Sequence, residues 1–356
     1  MQLPAHTDPS LLSRAGISDG SPPCRVSAFR LIDDELGRVK ELIDKQLAEA
    51  SEPFSLLLGT FSSCSGKMLR PGLVLLSYRA VRDAPCVKRN TQYDIRNTHD
   101  ELVPIAAIVE MIHNAALLHD DVIDEGQKRR GLPTVNSLWG NESAVLLGDF
   151  LLSKVFKMCV ELEPRFQRII AATIVRTCEG ELSQIIQRQN WQLSESKYIE
   201  IITEKSAALF SSACLLGSLL AGASETQIHS LACFGLNTGI AFQITDDLLD
   251  IIGDESKMGK TPGNDVDKNK LTLAVIHLLR AVERGEKSAV IEMLKTPGES
   301  KKALAEMLGS YGSLEYAHGR AQEFVAKAVQ ALVSLKESDA KDALIEAARF
   351  VAGRMI

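Results

Sequence analysis

Two stretches of the chain place aspartates at i, i+1 and i+4 at the end of an apolar segment. They are Asp120, Asp121 and Asp124 in Leu-His-Asp-Asp-Val-Ile-Asp, and Asp246, Asp247 and Asp250 in Ile-Thr-Asp-Asp-Leu-Leu-Asp. On a helix the first and last of each set share a face about one turn apart, with the middle one roughly 100° round the axis. Carboxylates crowded at a helix C-terminus meet the negative end of the macrodipole and repel one another, so cations must offset them. One such cluster alone is most often a solvated helix end. The repeat of the same spacing instead points to two helix ends that face each other. Mg²⁺ takes oxygen ligands, keeps several waters and is commonly held by one or two carboxylates together with substrate phosphates. The expected chemistry is therefore a Mg²⁺–diphosphate site between two acidic helix ends.

Cations follow both sets. Arg129-Arg130-Gly131 comes soon after the first, and Lys260 and Lys270 after the second. Two guanidiniums beside carboxylates suit bidentate contact with a phosphate that bridges through metal. Earlier in the chain, Ser62 to Pro71 reads as a loop opening into a helix with Lys67 and Arg70 near its start, a place that favours anions. A pair of surface cations would be the plainer reading of that loop by itself. Lys205, on a long helical stretch from Ser194 to Leu220, would ordinarily be a solvated lysine, and Asp149, set among leucines, reads as a core carboxylate.

The elements that must carry these residues are helices. Ile105, Ile108, Ile112 and Ala116 recur at helical spacing from Pro104 to Leu118, and Ile240 to Asp250 repeats the pattern. Ile32, Leu36, Val39 and Ile43 form an amphipathic stripe, Glu142 to Leu162 and Arg165 to Gln189 are helical in period, and the segments beyond Lys270 read as packing helices. Strand signals are lacking almost everywhere, so the chain is expected to be all-α. Residues 1–25, polar and rich in Ser, Pro and Gly, are expected to be a flexible tail before a single domain over 26–356, with 83–100 an exposed, aperiodic insertion.

With 356 residues, 45% of them hydrophobic, the chain can bury a large core. Its net charge of −6 and lack of a basic, aromatic-interleaved patch argue against nucleic acid as a partner. The seven cysteines show no C-x-x-C pairing, which suggests neither zinc nor a disulfide framework and makes the reducing cytoplasm the default location. Apolar runs such as Ala213 to Ala223 are shorter than a membrane span needs, although transient membrane contact stays open.

Taken together and in order from Gly66 to Leu273, these motifs resemble the trans-isoprenyl diphosphate synthases, the family of farnesyl, geranylgeranyl and longer polyprenyl diphosphate synthases. The resemblance implies an all-α bundle around a central substrate cavity, usually homodimeric, that condenses isopentenyl diphosphate with an allylic diphosphate. It implies that Asp120, Asp121, Asp124, Asp246, Asp247 and Asp250 hold about three Mg²⁺ ions on the allylic diphosphate. Arg129, Lys205 and Lys260 match cations on that diphosphate, with Ser206 and Lys270 beside them. Gly66, Lys67, Arg70, His113 and Arg130 match the isopentenyl diphosphate pocket, and Gln243 lies near the reacting centre. Departures are modest: Asn269 precedes Lys270 where Gly is frequent, Leu132 replaces a polar residue, Ser206 stands where Thr is usual, and the 83–100 insertion is long.

Product length follows from the first helix. A growing tail running away from the metals would pass Ala116 and Ala115, then Ile112, Met111 and Ile108, none of them aromatic. One helix turn rises about 5.4 Å, close to one isoprene unit, so each turn is a potential floor. Open positions at the first turn lead to the expectation of about six to eight units, a quinone side chain. A short-chain synthase with its floor on another helix and a non-catalytic subunit of a heteromeric synthase remain alternatives. A terpene cyclase fits poorly, because its second metal motif has another composition and spacing.

Overall fold

Thr134, Ser194 and Thr272 each accept a hydrogen bond from the backbone N–H three residues on, and each starts a helix. Such caps, with Pro164 at a first helical position, mark boundaries that the hydrophobic period alone leaves open. The computed structural model describes residues 27–51, 54–55, 57–58, 66–83, 95–129, 131–252, 268 and 270–353. Arg130, Lys260, Asn269 and the 1–25 tail lie outside them.

The helices in chain order are α1 (Asp33–Ala48), α2 (Leu69–Arg82), α3 (Ile95–Ile123), α4 (Val135–Trp139), α5 (Asn141–Cys159), α6 (Pro164–Ile186), α7 (Glu195–Ile202), α8 (Ala208–Leu220), α9 (Glu225–Ile252), α10 (Leu273–Ala281), α11 (Arg284–Lys295), α12 (Pro297–Ser310), α13 (Ser313–Ala331) and α14 (Asp339–Gly353). A π-helical turn, Thr203–Ala207, joins α7 to α8. The strands are two residues each: β1 (Lys128–Arg129) pairs antiparallel with β2 (Leu132–Pro133). The all-α expectation holds, with this one small hairpin added.

α8 lies at the middle of the packing, against α2, α3, α6 and α9. α9 in turn packs on α13, and α3 on α1, α2 and α5. Small residues set the closest approaches. A Cβ on Gly217 of α8 would overlap the Val74 carbonyl oxygen of α2 and stand 3.1 Å from Ser77 Cβ. On α9, a Cβ at Gly235 would reach the backbone of Phe210. The helices therefore meet nearly backbone to backbone.

Four sequence expectations change. The first acidic helix does not begin at Pro104 but at Ile95, and the proline lies inside it. Leu102 and Val103 are buried, so apolar packing N-terminal to the proline holds the extra turns despite the lost N–H. Residues 95–100 of the supposed insertion are accordingly helical, and 84–94 fall outside the described residues. Asp149 is an exposed residue 3.6 Å from His119, not a core carboxylate. The stretch from Ser194 to Leu220 is two helices with a π turn between them, and Lys205 in that turn is mostly enclosed and ion-paired with Glu181 rather than solvated.

Among the described residues, the part of α3 over Glu101–Ile123 is long and apolar enough to cross a membrane. About 67% of that window is buried inside the fold, as befits a core helix. The Cys159, Cys178, Cys214 and Cys233 thiols are free.

Gly217→Ala should cost about 1–3 kcal/mol, because the methyl can be seated only by separating α8 from α2. Urea denaturation monitored by circular dichroism would show this as a lower midpoint with unchanged slope.

Candidate active site

The first acidic set sits where α3 ends. Glu125 adopts left-handed φ (48°), the Gly126 N–H donates to the Asp121 carbonyl at 2.8 Å and the Glu125 N–H to Val122 at 3.2 Å. This is a Schellman closure made with glutamate at the left-handed position. The chain then turns back through the hairpin, with Gly131 at φ 79°, and that return delivers Arg129 to α3. Buried Asn136 braces the turn by donating to the carbonyls of Asp121 (3.1 Å) and Gly126 (3.0 Å).

Every aspartate of the first set has a cation. Arg129 grips Asp121 with Nε at 2.9 Å and Nη2 at 2.7 Å. Asp124 accepts from Arg188 Nη2 at 3.0 Å and from Lys270 Nζ at 2.5 Å. Lys205 Nζ stands 4.0 Å from Asp120, donates to Gln184 at 2.8 Å and pairs with Glu181. Burial works against the charge on Lys205, but Asp120, Glu181 and Asp124 outweigh it, and its pKa lies above the ordinary lysine value. Burial likewise raises the Asp121 carboxyl above the usual range, against the pull of Arg129.

The second set lies on α9, nearer its interior than the first set is to the end of α3. Asp247 accepts from Gln243 Nε2 at 2.7 Å and from Tyr198 OH at 2.6 Å, and Gln243 accepts from Ser206 Oγ at 2.6 Å. Asp250 is fully buried. Two observations bring the sets together. Lys270, downstream of the second set, binds Asp124 of the first, and the Arg129 guanidinium is stabilised by Asp121, Asp120 and Asp246 against its own burial. Asp120, Asp121 and Asp246 thus all lie within electrostatic reach of the Arg129 guanidinium.

Farther off, Arg70 is buried beneath the rings of Phe210 (4.6 Å) and Phe242 (5.6 Å), the latter next to Gln243. Lys67 is exposed, its ammonium 4.9 Å over Phe350 of α14, and Gly66 precedes it on the same approach to α2. His113 is half-buried on α3, two turns ahead of Asp120. Ala115, Ile112, Met111 and Ile108 are buried, while Ala116 is only partly so.

Sequence reasoning missed Arg188, Tyr198, Glu181, Gln184 and Asn136. Glu181 and Gln184 are three apart on α6 and so share a face, a pattern too common to stand out. Arg188 and Tyr198 carry no local signal, since their partners lie far along the chain.

The donors are carboxylates throughout, which suits a hard divalent cation. Among the described residues no three acidic or His/Cys side chains converge into a ready-made cage, and Asp121, Asp124 and Asp247 already hold protein donors. Mg²⁺ fits these residues as a guest that shares its ligands with a phosphate.

An all-α chain with two aspartate sets held among buried and half-buried Lys and Arg is the architecture of a prenyltransferase. The chain matches the polyprenyl synthetase family over residues 54–310 and belongs to that family. It is 34% identical over 332 residues to a short chain isoprenyl diphosphate synthase of Methanothermobacter thermautotrophicus, covering 90% of this chain and 98% of that one. It is 33% identical over 324 residues to the octaprenyl diphosphate synthase of Haemophilus influenzae, covering 90% and 94%. A polyprenyl synthase from Caulobacter crescentus, solved with calcium and isoprenyl diphosphate, superimposes with TM-score 0.84 at 30% identity over 92% of this chain and 97% of that one. The protein is a prenyl diphosphate synthase.

Tyr198→Phe removes a buried donor to Asp247 and should cost about 1–2 kcal/mol. Thermal unfolding of the variant beside the unaltered protein checks it, and equal midpoints would show that the hydroxyl contributes nothing there.

Proposed function

We propose that this enzyme makes an all-trans polyprenyl diphosphate of about six to eight isoprene units by Mg²⁺-dependent 1′–4 condensation of isopentenyl diphosphate with an allylic diphosphate. The observation that carries the reading is that Arg129, which grips Asp121 of the first set, also lies within electrostatic reach of Asp246 of the second, with Lys270 from beyond the second set bonded to Asp124. When bound, Mg²⁺ supplies charge stabilisation to the departing diphosphate. Arg129, Lys205 and Lys270 hold the same diphosphate, in a setting where each preorganised donor is worth roughly 10²-fold to 10³-fold in rate. Lys260 and Arg130 are assigned to diphosphate binding by their place in the sequence alone.

Isopentenyl diphosphate is assigned to Gly66, Lys67, Arg70, His113 and Arg130, so that its double bond is held against the allylic carbon. Gln243, fixed between Ser206 and Asp247, is assigned to the reacting centre by its place just ahead of the second aspartate set. The nascent tail runs along α3. Ala116, only partly buried, is the first position it meets, whereas Ala115 is packed into the core. The short-chain reading remains the alternative, supported by the name of the Methanothermobacter relative.

The enzyme is further proposed to work in the cytoplasm as a homodimer. Val145, Phe156 and Val160 form an exposed apolar stripe along and just past α5, and Val175, Leu182 and Ile186 form another on α6. Exposed apolar residues aligned on consecutive helices are the pattern of a buried interface.

Farnesyl diphosphate, labelled isopentenyl diphosphate and Mg²⁺ should give a chelator-sensitive product of about C30 or longer on chromatography after dephosphorylation. Products ending near C20 would support the short-chain reading, and no turnover with any primer would remove the synthase assignment for this chain. Ala116→Phe should shorten the product by at least about one unit, and Ala115→Phe should do the same at greater cost in stability. An unaltered product would refute the tail path. Phe156→Glu should shift the species seen by light scattering from dimer to monomer.

A further inference from the structure

We propose that Gly180 and Gly239 are positioning residues. By carrying no side chain they let the π-helical turn Thr203–Ala207 sit between α6 and α9, and so aim Lys205 at the diphosphate. The proposal rests on the reading of Lys205 as a diphosphate contact.

A π turn is wider than an α turn and occurs mostly as a single-turn bulge within α-helices, frequently at functional sites. Here the Ala208 N–H donates to the Thr203 carbonyl, five residues back. The widened backbone must fit between two neighbours already close on either side. On α6, a Cβ at Gly180 would overlap the Lys205 backbone nitrogen and lie 2.6 Å from Lys205 Cα and 2.7 Å from the Glu204 carbonyl carbon. On α9, a Cβ at Gly239 would lie 2.6 Å from Ala207 Cα and 2.9 Å from its Cβ. The obstructing atoms are mostly backbone, so no rotamer change relieves the overlap. The turn itself would have to move.

The turn is also pinned in register. Arg176, about one helical turn before Gly180, holds Glu204 with Nε at 2.6 Å and Nη2 at 3.0 Å. Glu181 and Gln184, just after Gly180, hold the Lys205 ammonium, and Gln243 of α9 receives the Ser206 hydroxyl at 2.6 Å. Consecutive residues of the turn are thus tied to α6, α6 and α9 in sequence. The outcome is a lysine whose nitrogen stands 4.0 Å from Asp120, carried there by the turn between α7 and α8. Misplacement by about 1 Å in such a site can cost on the order of 100-fold.

The test is equilibrium binding of farnesyl S-thiolodiphosphate with Mg²⁺ to the full chain. Gly180→Ala should weaken it about tenfold, and Glu204→Gln, a change on a half-exposed ion pair, about threefold. Isopentenyl S-thiolodiphosphate binding should change by less than about twofold in both. In a Lys205→Ala background either substitution should add less than about twofold, because its route to the ligand is gone. Losses that recur at full size in that background would overturn the proposal, as would variants that bind like the unaltered protein. Should Gly180→Ala fail to fold by circular dichroism, Glu204→Gln decides by the same criteria. If the unaltered protein does not bind the allylic probe, the synthase reading itself fails; if it binds and the variants match it, only the glycine assignment does.

Discussion

The constraint on which the rest depends is electrostatic. The first aspartates close a long apolar helix, where the macrodipole already places negative potential, and a second set faces them from α9. Such a concentration of charge is tolerable only beside fixed cations, and the fold supplies them from four different places. Arg129 comes from the hairpin after α3, Arg188 from just beyond α6, Lys205 from the π turn and Lys270 from just before α10. Each must arrive with its stem buried, because a solvated lysine or arginine would be screened and mobile. The close helix contacts at Gly180, Gly217, Gly235 and Gly239 are the structural counterpart, bringing the cation-bearing segments in over short distances.

The ion-pair network also bears on how the site takes a ligand. With Asp121 held by Arg129 and Asp124 by Arg188 and Lys270, the carboxylates and cations satisfy each other. A diphosphate with its Mg²⁺ would exchange these partners like for like, cations turning to phosphate oxygens and carboxylates to metal. The site is preorganised in position without a large uncompensated charge. Lys205 shows the same balance, with Glu181 as its counter-ion in the protein.

The acidic sets and the all-α class were legible because both depend on short-range spacing: i, i+1, i+4 for the aspartates and a period of 3.6 for the helices. Arg129 could be read for the same reason, lying eight residues from Asp121. Arg188 and Tyr198 could not, since they meet Asp124 and Asp247 across 64 and 49 residues. The start of α3 is not legible locally, because Pro104 reads as a helix boundary and the packing of Leu102 and Val103 that carries the helix past it is a tertiary property. The local sequence around Lys205 suggests only a solvated lysine, since nothing in it reveals a π turn; the resemblance alone marks that lysine. The turn exists by virtue of glycines on α6 and α9, neither adjacent in sequence. Local rules find what the chain does locally, and the cation ring is a tertiary property.

Chain length is the question overall likeness leaves open, because relatives of nearly equal identity carry short-chain and octaprenyl names. The chemistry at the aspartates is the same whatever the tail, so the determinant must lie along the tail's path rather than in the motifs. On α3 that path is a choice between two adjacent alanines. A bulky side chain at Ala115 would have to displace the core before it blocked anything, whereas partly buried Ala116 is less tightly enclosed. A small residue at the partly buried position is therefore informative about product length in a way that the fully buried one is not. The helix rise makes the next floor a full turn away, at Ile112, so the step between products is set by backbone geometry more than by the size of any one side chain.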